Sequence, residues 1–259
     1  MIILDDFVML GKTVPEPNSD GRVFVCSAGI SPTMRSLIRI YPLARFAAPP
    51  RWSVSTVRLE RNPKDHRPES FQLAADRSPD QHWRINASAF TITGQTTQRG
   101  RSQLLEPFVA NSIAEANTRR LSLAVVHPRA YELEFEHNPA SPDSPMLALF
   151  DLPGSKPEGA RRFPFIPRLR FQDDQGEHRL QVRDWGVYEL MRKHNNLTSM
   201  TDSERKTYVG GALKLDPFCS LLVGNFNRHY TSWLIISVLK GLRGAPSLFD
   251  GLEKAEVAA

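Results

Sequence analysis

A chain of 259 residues, 41% hydrophobic and 24% charged, carries enough apolar side chains for one large core or two small ones, which excludes a chain disordered throughout. Its 33 Lys and Arg against 28 Asp and Glu leave a formal charge of +5, a surplus that suits polyanionic partners. Two cysteines, Cys26 in "VFVCSAG" and Cys219 in "PFCSLLVG", argue for buried thiols in a reducing compartment and against a disulfide framework or a zinc cage.

The amino terminus, "MIILDDFVMLGKT", has Asp5 and Asp6 where a secretory signal needs a basic lead and an unbroken apolar core. Further on, "WLIISVLKGL" stops after ten residues, half of the roughly 20 that a membrane helix requires. The chain therefore reads as cytoplasmic, with no membrane contact. Alternation of apolar and polar residues, rich in β-branched and aromatic types, predicts strands over 22–30, 36–43, 51–61 and 82–90. Helical spacing then covers 102–120. Strands return over 121–128, 130–137, 162–171, 177–184, 220–226 and 232–240, with helices over 184–196 and 201–213. Asp184 is placed to cap the first of those two helices. Residues 138–160 hold five prolines and two glycines and read as a surface excursion. The tail from Leu242 loses strand periodicity.

Ten strands with helical connectors predict a mainly β protein with minor α. The economical arrangement is two tandem OB-like small β-barrels joined by a helix. The first takes residues 1–100, the connecting helix 101–120, and the second 121–241 with a helical insertion over 184–213, followed by a tail over 242–259. One large mixed sheet is the alternative.

Strand parity puts Leu37, Arg39 and Tyr41 on one face and Ile38 and Ile40 on the other, which a core would claim. Arg39 and Tyr41 are thus expected at the surface. By the same parity Val57 and Leu59 face inward while Thr56, Arg58 and Glu60 face out. Arg45, Arg51, Arg61 and Arg67 fall in or beside turns, and Trp52 opens a strand. In "RRFPFIPRLRF" the apolar Phe163, Phe165, Leu169 and Phe171 share one side and Arg162, Arg168 and Arg170 the other. Arg228, His229 and Tyr230 of "GNFNRHYTSW" join them as candidate ligand residues. Guanidinium forks suit phosphates, and exposed aromatic rings offer platforms for bases. Ordinary surface pairing with carboxylates such as Glu60 and Glu69 is the competing account.

Chemistry finds less support. The histidines, among them His127, His137, His178 and His194, lack metal-ligand spacing, and neither "GNFNRHYTSW" nor "VGGALK" forms a phosphate loop. Asp173, Asp174, Asp184 and Glu189 lie close enough in sequence to raise a metal-dependent nuclease, but the first two sit in the turn "QDDQGEH" and Asp184 caps a helix. No cofactor and no small-molecule substrate are expected.

In order from about residue 22 to 240, "CSAGI", "SLIRIYPL", "RWSVSTVRLERNPKDHRPESF", "FIPRLRF", "EHRLQVRDWGVYELMRK" and "LLVGNFNRHYTSWLIISVL" resemble a group of prokaryotic dual OB-domain-containing proteins. The matching positions are Arg39, Tyr41 and Pro42, then Trp52, then a D-x-R-P-E-S turn at Asp65, Arg67, Pro68, Glu69 and Ser70. After these come Asp184 and Trp185, and a glycine, Gly224, ahead of Ser232, Trp233, Ile235 and Ile236. The resemblance implies that Asp65, Arg67, Glu69, Asp184, Trp185 and Trp233 are framework residues, with Asp65 capping its turn and Arg67 paired to Glu69. Some members carry cysteines before the segment aligned with His178; "FQDDQGEHRLQVRDW" has none, so no metal is expected there. The basic and aromatic faces point to a non-catalytic protein that binds single-stranded, or guide or target, RNA or DNA, and the resemblance fits an accessory subunit with a protein partner in a prokaryotic defence or mobile-element complex. The alternatives are a protein-interaction scaffold and a metal-dependent nuclease.

Overall fold

The structure is a computed structural model that describes residues 1–17, 23–44, 47–74, 89–138, 163–193, 197–213, 219–227 and 229–240. The chain is mainly β. In the first half, β1 (Ile2–Lys12), β2 (Glu16–Pro17), β3 (Val23–Ser31), β4 (Ser36–Leu43), β5 (Ser53–Arg61), β6 (Ser70–Leu73) and β7 (Phe90–Gln95) follow one another. Five of them close a barrel in the order β1-β3-β4-β6-β5 and back to β1, with β4 and β6 parallel and the other contacts antiparallel. β2 adds to β3, and β7 to β5. The inward set of each strand, including Phe7, Met9, Val25, Ile38, Ile40, Val57, Leu59 and Phe71, fills the barrel, as period-two burial requires.

The sequence reading misses β1, the strand that pairs with both β3 and β5. Its alternation breaks where register shifts between Leu4 and Phe7 and again between Met9 and Gly11. Asp5 and Asp6 occupy the first irregularity, where the Asp6 carboxylate accepts from the Ser31 hydroxyl at 2.8 Å and from the Thr33 N–H. A bulge re-aims side chains in this way. Of the expected strand over 82–90, residues 82–88 lie outside the described residues, and β7 starts at Phe90.

The expected single helix over 102–120 is several short elements instead: α1 (Gln98–Leu105), a 3₁₀ turn (Glu106–Phe108), the short strand β8 (Val109–Ala110) and α2 (Ile113–Thr118). Pro107 cannot continue a helix ladder. Ser112 then starts a new helix by accepting from Glu115 N at 2.9 Å, while Glu115 Oε2 reaches back to Asn111 N.

In the second half, β9 (Leu123–Val126), β10 (Ala130–His137), β11 (Phe165–Gln172) and β12 (Glu177–Gln181) precede α3 (Trp185–Lys193) and α4 (Asp202–Leu213), and β13 (Ser220–Phe226) and β14 (His229–Leu239) close the described chain. The strands form a β10-β11-β12 sheet and a β14-β13-β9-β8 sheet. A parallel bridge between Val182 and Ile235 links the end of β12 to β14, and β9 leads into β10 through Pro128. Through that bridge a circuit β9/β10-β11-β12-β14-β13 can be followed around the second half. Leu133, Leu169, Phe171, Leu221, Val223 and Ile235 fill the space between the sheets, together with Val187, Tyr188, Met191 and Val209 from the two helices. No helix among the described residues is long and apolar enough to cross a membrane.

The halves meet through faces that period-two parity assigns to solvent. Val8, Leu10, Ala28, Ile30, Leu37 and Trp52 of the first half pack in one buried cluster with Leu123, Val125, Leu222, Ile236 and Leu239 of the second. At Gly11 a Cβ would stand 2.5 Å from the Ser237 Cβ, so β1 approaches β14 as closely as only a glycine allows.

Candidate nucleic-acid interface

Three arginines of the first barrel cross this seam. Arg39 lies on the outward face of β4, as parity predicts, but that face is covered and Arg39 is 4% exposed. Its Nη2 donates to the Ser122 carbonyl at 2.8 Å and its Nη1 to Cys26 Sγ at 3.4 Å. Arg51 Nη2 donates to both Asp184 carboxylate oxygens at 3.1 and 2.9 Å, and its Nη1 to the Val238 carbonyl at 2.8 Å. Trp52 is buried, with the Arg101 guanidinium 5.1 Å above its ring. Arg39, Arg51 and Trp52 are therefore seam residues, a correction to their reading as ligand contacts.

Arg67 also spans the halves. Its Nε donates to Asp65 Oδ1 at 2.8 Å and its Nη1 to the Asn225 carbonyl at 2.7 Å. Asp65, not Glu69, is its ion-pair partner, which corrects the expected Arg67–Glu69 pair. Burial raises the Asp65 pKa, but hydrogen bonds from Arg67 and Ser70 outweigh it and bring the carboxyl from 3.8 down to about 2. Asp184 caps α3 by accepting from Gly186 N at 2.7 Å, and it also accepts from Val238 N at 2.9 Å and the Ser237 hydroxyl. Trp185 is partly buried against the second core, and Trp233 donates from Nε1 to Asn117 Oδ1 at 2.8 Å.

The arginine face of β11 exists, but it is not a bare basic groove. Register sets Arg168 opposite Glu134 and Arg170 opposite Glu132 on β10. Arg168 pairs with Glu136 and Arg170 with Glu132; Arg179 of β12 donates to Glu134 at 2.7 Å, and Lys206 of α4 reaches Glu132 at 2.8 Å. Hydrogen bonds from Lys206 and Arg170 lower the Glu132 pKa to about 2, and Glu132 in turn raises that of Arg170. The face is a lattice of alternating charge that pairing across the β10–β11 register largely neutralises. Because these pairs lie at the protein surface, Arg168→Gln and Arg170→Gln should each leave the urea unfolding midpoint nearly unchanged.

Exposed cations and rings meet elsewhere, where two turns touch. One turn, between β5 and β6, contains Lys64 and His66, both exposed; the other joins β13 to β14. These turns hold the same position, fourth strand to fifth, in the two strand circuits. Asn225 binds them together: its carbonyl accepts from Arg67, and its Nδ2 donates to the carbonyls of Leu121 and Tyr230 at 3.2 and 2.9 Å. Asn227 Nδ2 donates to the Lys64 carbonyl at 3.2 Å. Pairing jumps from Asn225↔Trp233 to Phe226↔His229, so residues 230–232 bulge outward, leaving Phe226 48% and Tyr230 58% exposed beside exposed His229. Across the described residues 61–69 and 225–230, no exposed side chain is acidic.

Of the expected ligand residues, this rim gathers His229 and Tyr230, with Arg61 and Tyr41 at its margin. The Arg61 guanidinium stacks 5.2 Å from the Phe71 ring and donates to the carbonyls of Arg67 and Pro68. Tyr41 is 38% exposed; its carbonyl accepts from Asn62 at 2.9 Å, and burial, with Cys26 and Glu16 nearby, raises its hydroxyl pKa. Arg58 stands apart, on the outer face of β5 opposite Ile3. Arg45, Arg162 and Arg228 lie outside the described residues. Lys64, His66 and Phe226 escape sequence reasoning, since two sit in an ordinary polar turn and the third ends an apolar strand.

The carboxylates suggested for metal chemistry are committed to structure. Asp173 accepts from Gln175 N, Gly176 N and Ile113 N and lies 2.7 Å from His178 Nε2. Asp174 pairs with Arg129, and Glu189 with Arg192. Among the described residues no group of three or more His, Cys, Asp or Glu is placed to hold a metal ion.

Comparison with known proteins adds one similarity: a family model described as a domain of unknown function (DUF8758) matches residues 5–107, from within β1 to the 3₁₀ turn after α1. No curated protein and no solved structure matches the chain.

Proposed function

We propose that the chain is a pair of OB-like barrels that binds nucleic acid without reaction chemistry of its own, and that the ligand lies over the paired turns rather than along β11. Support for the OB-like reading comes from the strand order, first-second-third-fifth-fourth in both circuits. The five-stranded Greek-key barrel of the OB-fold has this form. The observation that carries the binding reading is the rim itself. Lys64 and His66 stand beside exposed Phe226, His229 and Tyr230 with no exposed carboxylate among the described residues of either turn. The Lys64 ammonium, with no exposed acid in its turn, attracts a phosphate backbone, whereas the cations of the β11 face already have partners. That alternating face is left for a protein surface of complementary charge, consistent with an accessory subunit of a larger complex.

The test is binding of fluorescent DNA and RNA over a salt series. Affinity should fall steeply with salt, and Lys64→Glu should weaken binding and lower the salt slope by about 1. Arg168→Gln and Arg170→Gln should bind as the unaltered protein does. Salt-insensitive binding, or loss confined to the β11 variants, would overturn the placement.

A further inference from the structure

We infer that the two turns form a single site for an unpaired strand, so that both barrels share one ligand. The inference rests on the nucleic-acid reading above. Its first support is mechanical. The turns belong to different barrels, yet the Arg67–Asn225 and Asn227–Lys64 hydrogen bonds, at 2.7 and 3.2 Å, fix one against the other. Arg67 is itself buried and held by Asp65. Two surfaces held in one geometry before a ligand arrives lose little freedom on binding.

The second support is a division of chemistry. Among the described residues, the β5–β6 turn presents the Lys64 ammonium and the His66 imidazole, without an exposed Phe, Tyr or Trp; the β13–β14 turn presents the rings of Phe226 and Tyr230 beside His229. Phosphates need the first set and bases the second. Side by side, the two turns offer groups for backbone and for base to the same strand. The third support is steric. Phe226 and Tyr230 are 48% and 58% exposed, which leaves about half of each residue accessible to a ligand. The base faces of a duplex are already stacked on one another, whereas an unpaired strand offers its own.

Fluorescence anisotropy with the full chain tests this, using unpaired DNA and RNA of about 12 nucleotides, within the site sizes of single-strand binders, and duplexes of the same sequences. Phe226→Ala and Tyr230→Ala should each weaken unpaired-strand binding roughly 5- to 150-fold, the range that base stacking on an aromatic ring supplies. Duplex binding should not change, and Tyr230→Phe, which keeps the ring, should bind like the unaltered protein. Lys64→Glu should weaken both ligands, and titration should give one strand per chain. Two strands per chain, one lost with Lys64→Glu and the other with Tyr230→Ala, would overturn the shared site. Equal binding of duplex and unpaired strands, unaffected by the ring substitutions, would overturn the inference while leaving nucleic-acid binding in place. No binding of any probe by the folded, unaltered chain would remove the proposed function itself.

Discussion

Asp184→Ala should lower the unfolding free energy by about 3 kcal/mol or more, because it removes the acceptor at the centre of the seam. Four groups lose a partner together. The Arg51 guanidinium comes from the first barrel, Gly186 N opens α3, and Val238 N and the Ser237 hydroxyl belong to β14. Asp184 is 2% exposed, so water cannot replace the lost acceptor without rearrangement. Arg51 is less buried, with 29% of its side chain exposed, which keeps the expectation at the lower end of the range for broken buried pairs. Urea denaturation measures the loss, and a cycle with Arg51→Ala should return a coupling of about 0.5–3 kcal/mol. A loss below about 1 kcal/mol would mean that Asp184 does not tie the halves together. A nuclease reading would instead have the same substitution abolish cleavage while sparing stability.

Arg67→Ala should cost about 3–5 kcal/mol at neutral pH, since it strands the Asp65 carboxylate, 7% exposed, without its counter-charge. Acid makes this prediction more specific. In the intact protein the folded-state pKa of Asp65 is about 2 against an ordinary 3.8. A depressed carboxyl stabilises the fold above its unfolded pKa and loses that contribution as pH falls through the folded value. The unaltered protein should therefore lose about 2 kcal/mol from this group between roughly pH 4.5 and 2. Without the Arg67 side chain only the Ser70 hydroxyl and the backbone N–H of residue 67 still oppose burial, so the Asp65 pKa moves back up toward its ordinary value. The destabilisation caused by Arg67→Ala should therefore shrink on acidification. A destabilisation constant from pH 5 to 2.5 would mean that the pair does not hold the turn.

The strands were largely legible because alternation is a local property. Residues 36–43 and 130–137 were expected as strands and are β4 and β10. Where the local pattern breaks, the reading fails: Asp5 and Asp6 at a register shift concealed β1, and Pro107 with Ser112 divided the connecting helix. The candidate site was legible by residue type and not by place. Arg39 and Tyr41 share a face, as parity requires, yet Arg39 bonds to Ser122, 83 residues away, while Tyr41 remains partly exposed. The alternating glutamates of "YELEFEH" are visible in the chain. That they neutralise Arg168 and Arg170 depends on the register of β10 with β11.

By itself the sequence determined which residues alternate, and therefore which side of each strand is apolar enough to enter a core. It also determined the helix cap at Asp184, a contact made two residues away. Only the tertiary structure decided what lies against the opposite faces: the second half of the chain over Arg39, a glutamate row beside Arg170, and no covering segment over the exposed Tyr230 among the described residues. The physical reason is range. Alternation and capping act over a few residues, whereas the partner of an outward side chain is set by strand register and barrel packing, as with Arg67 and Asn225, 158 residues apart.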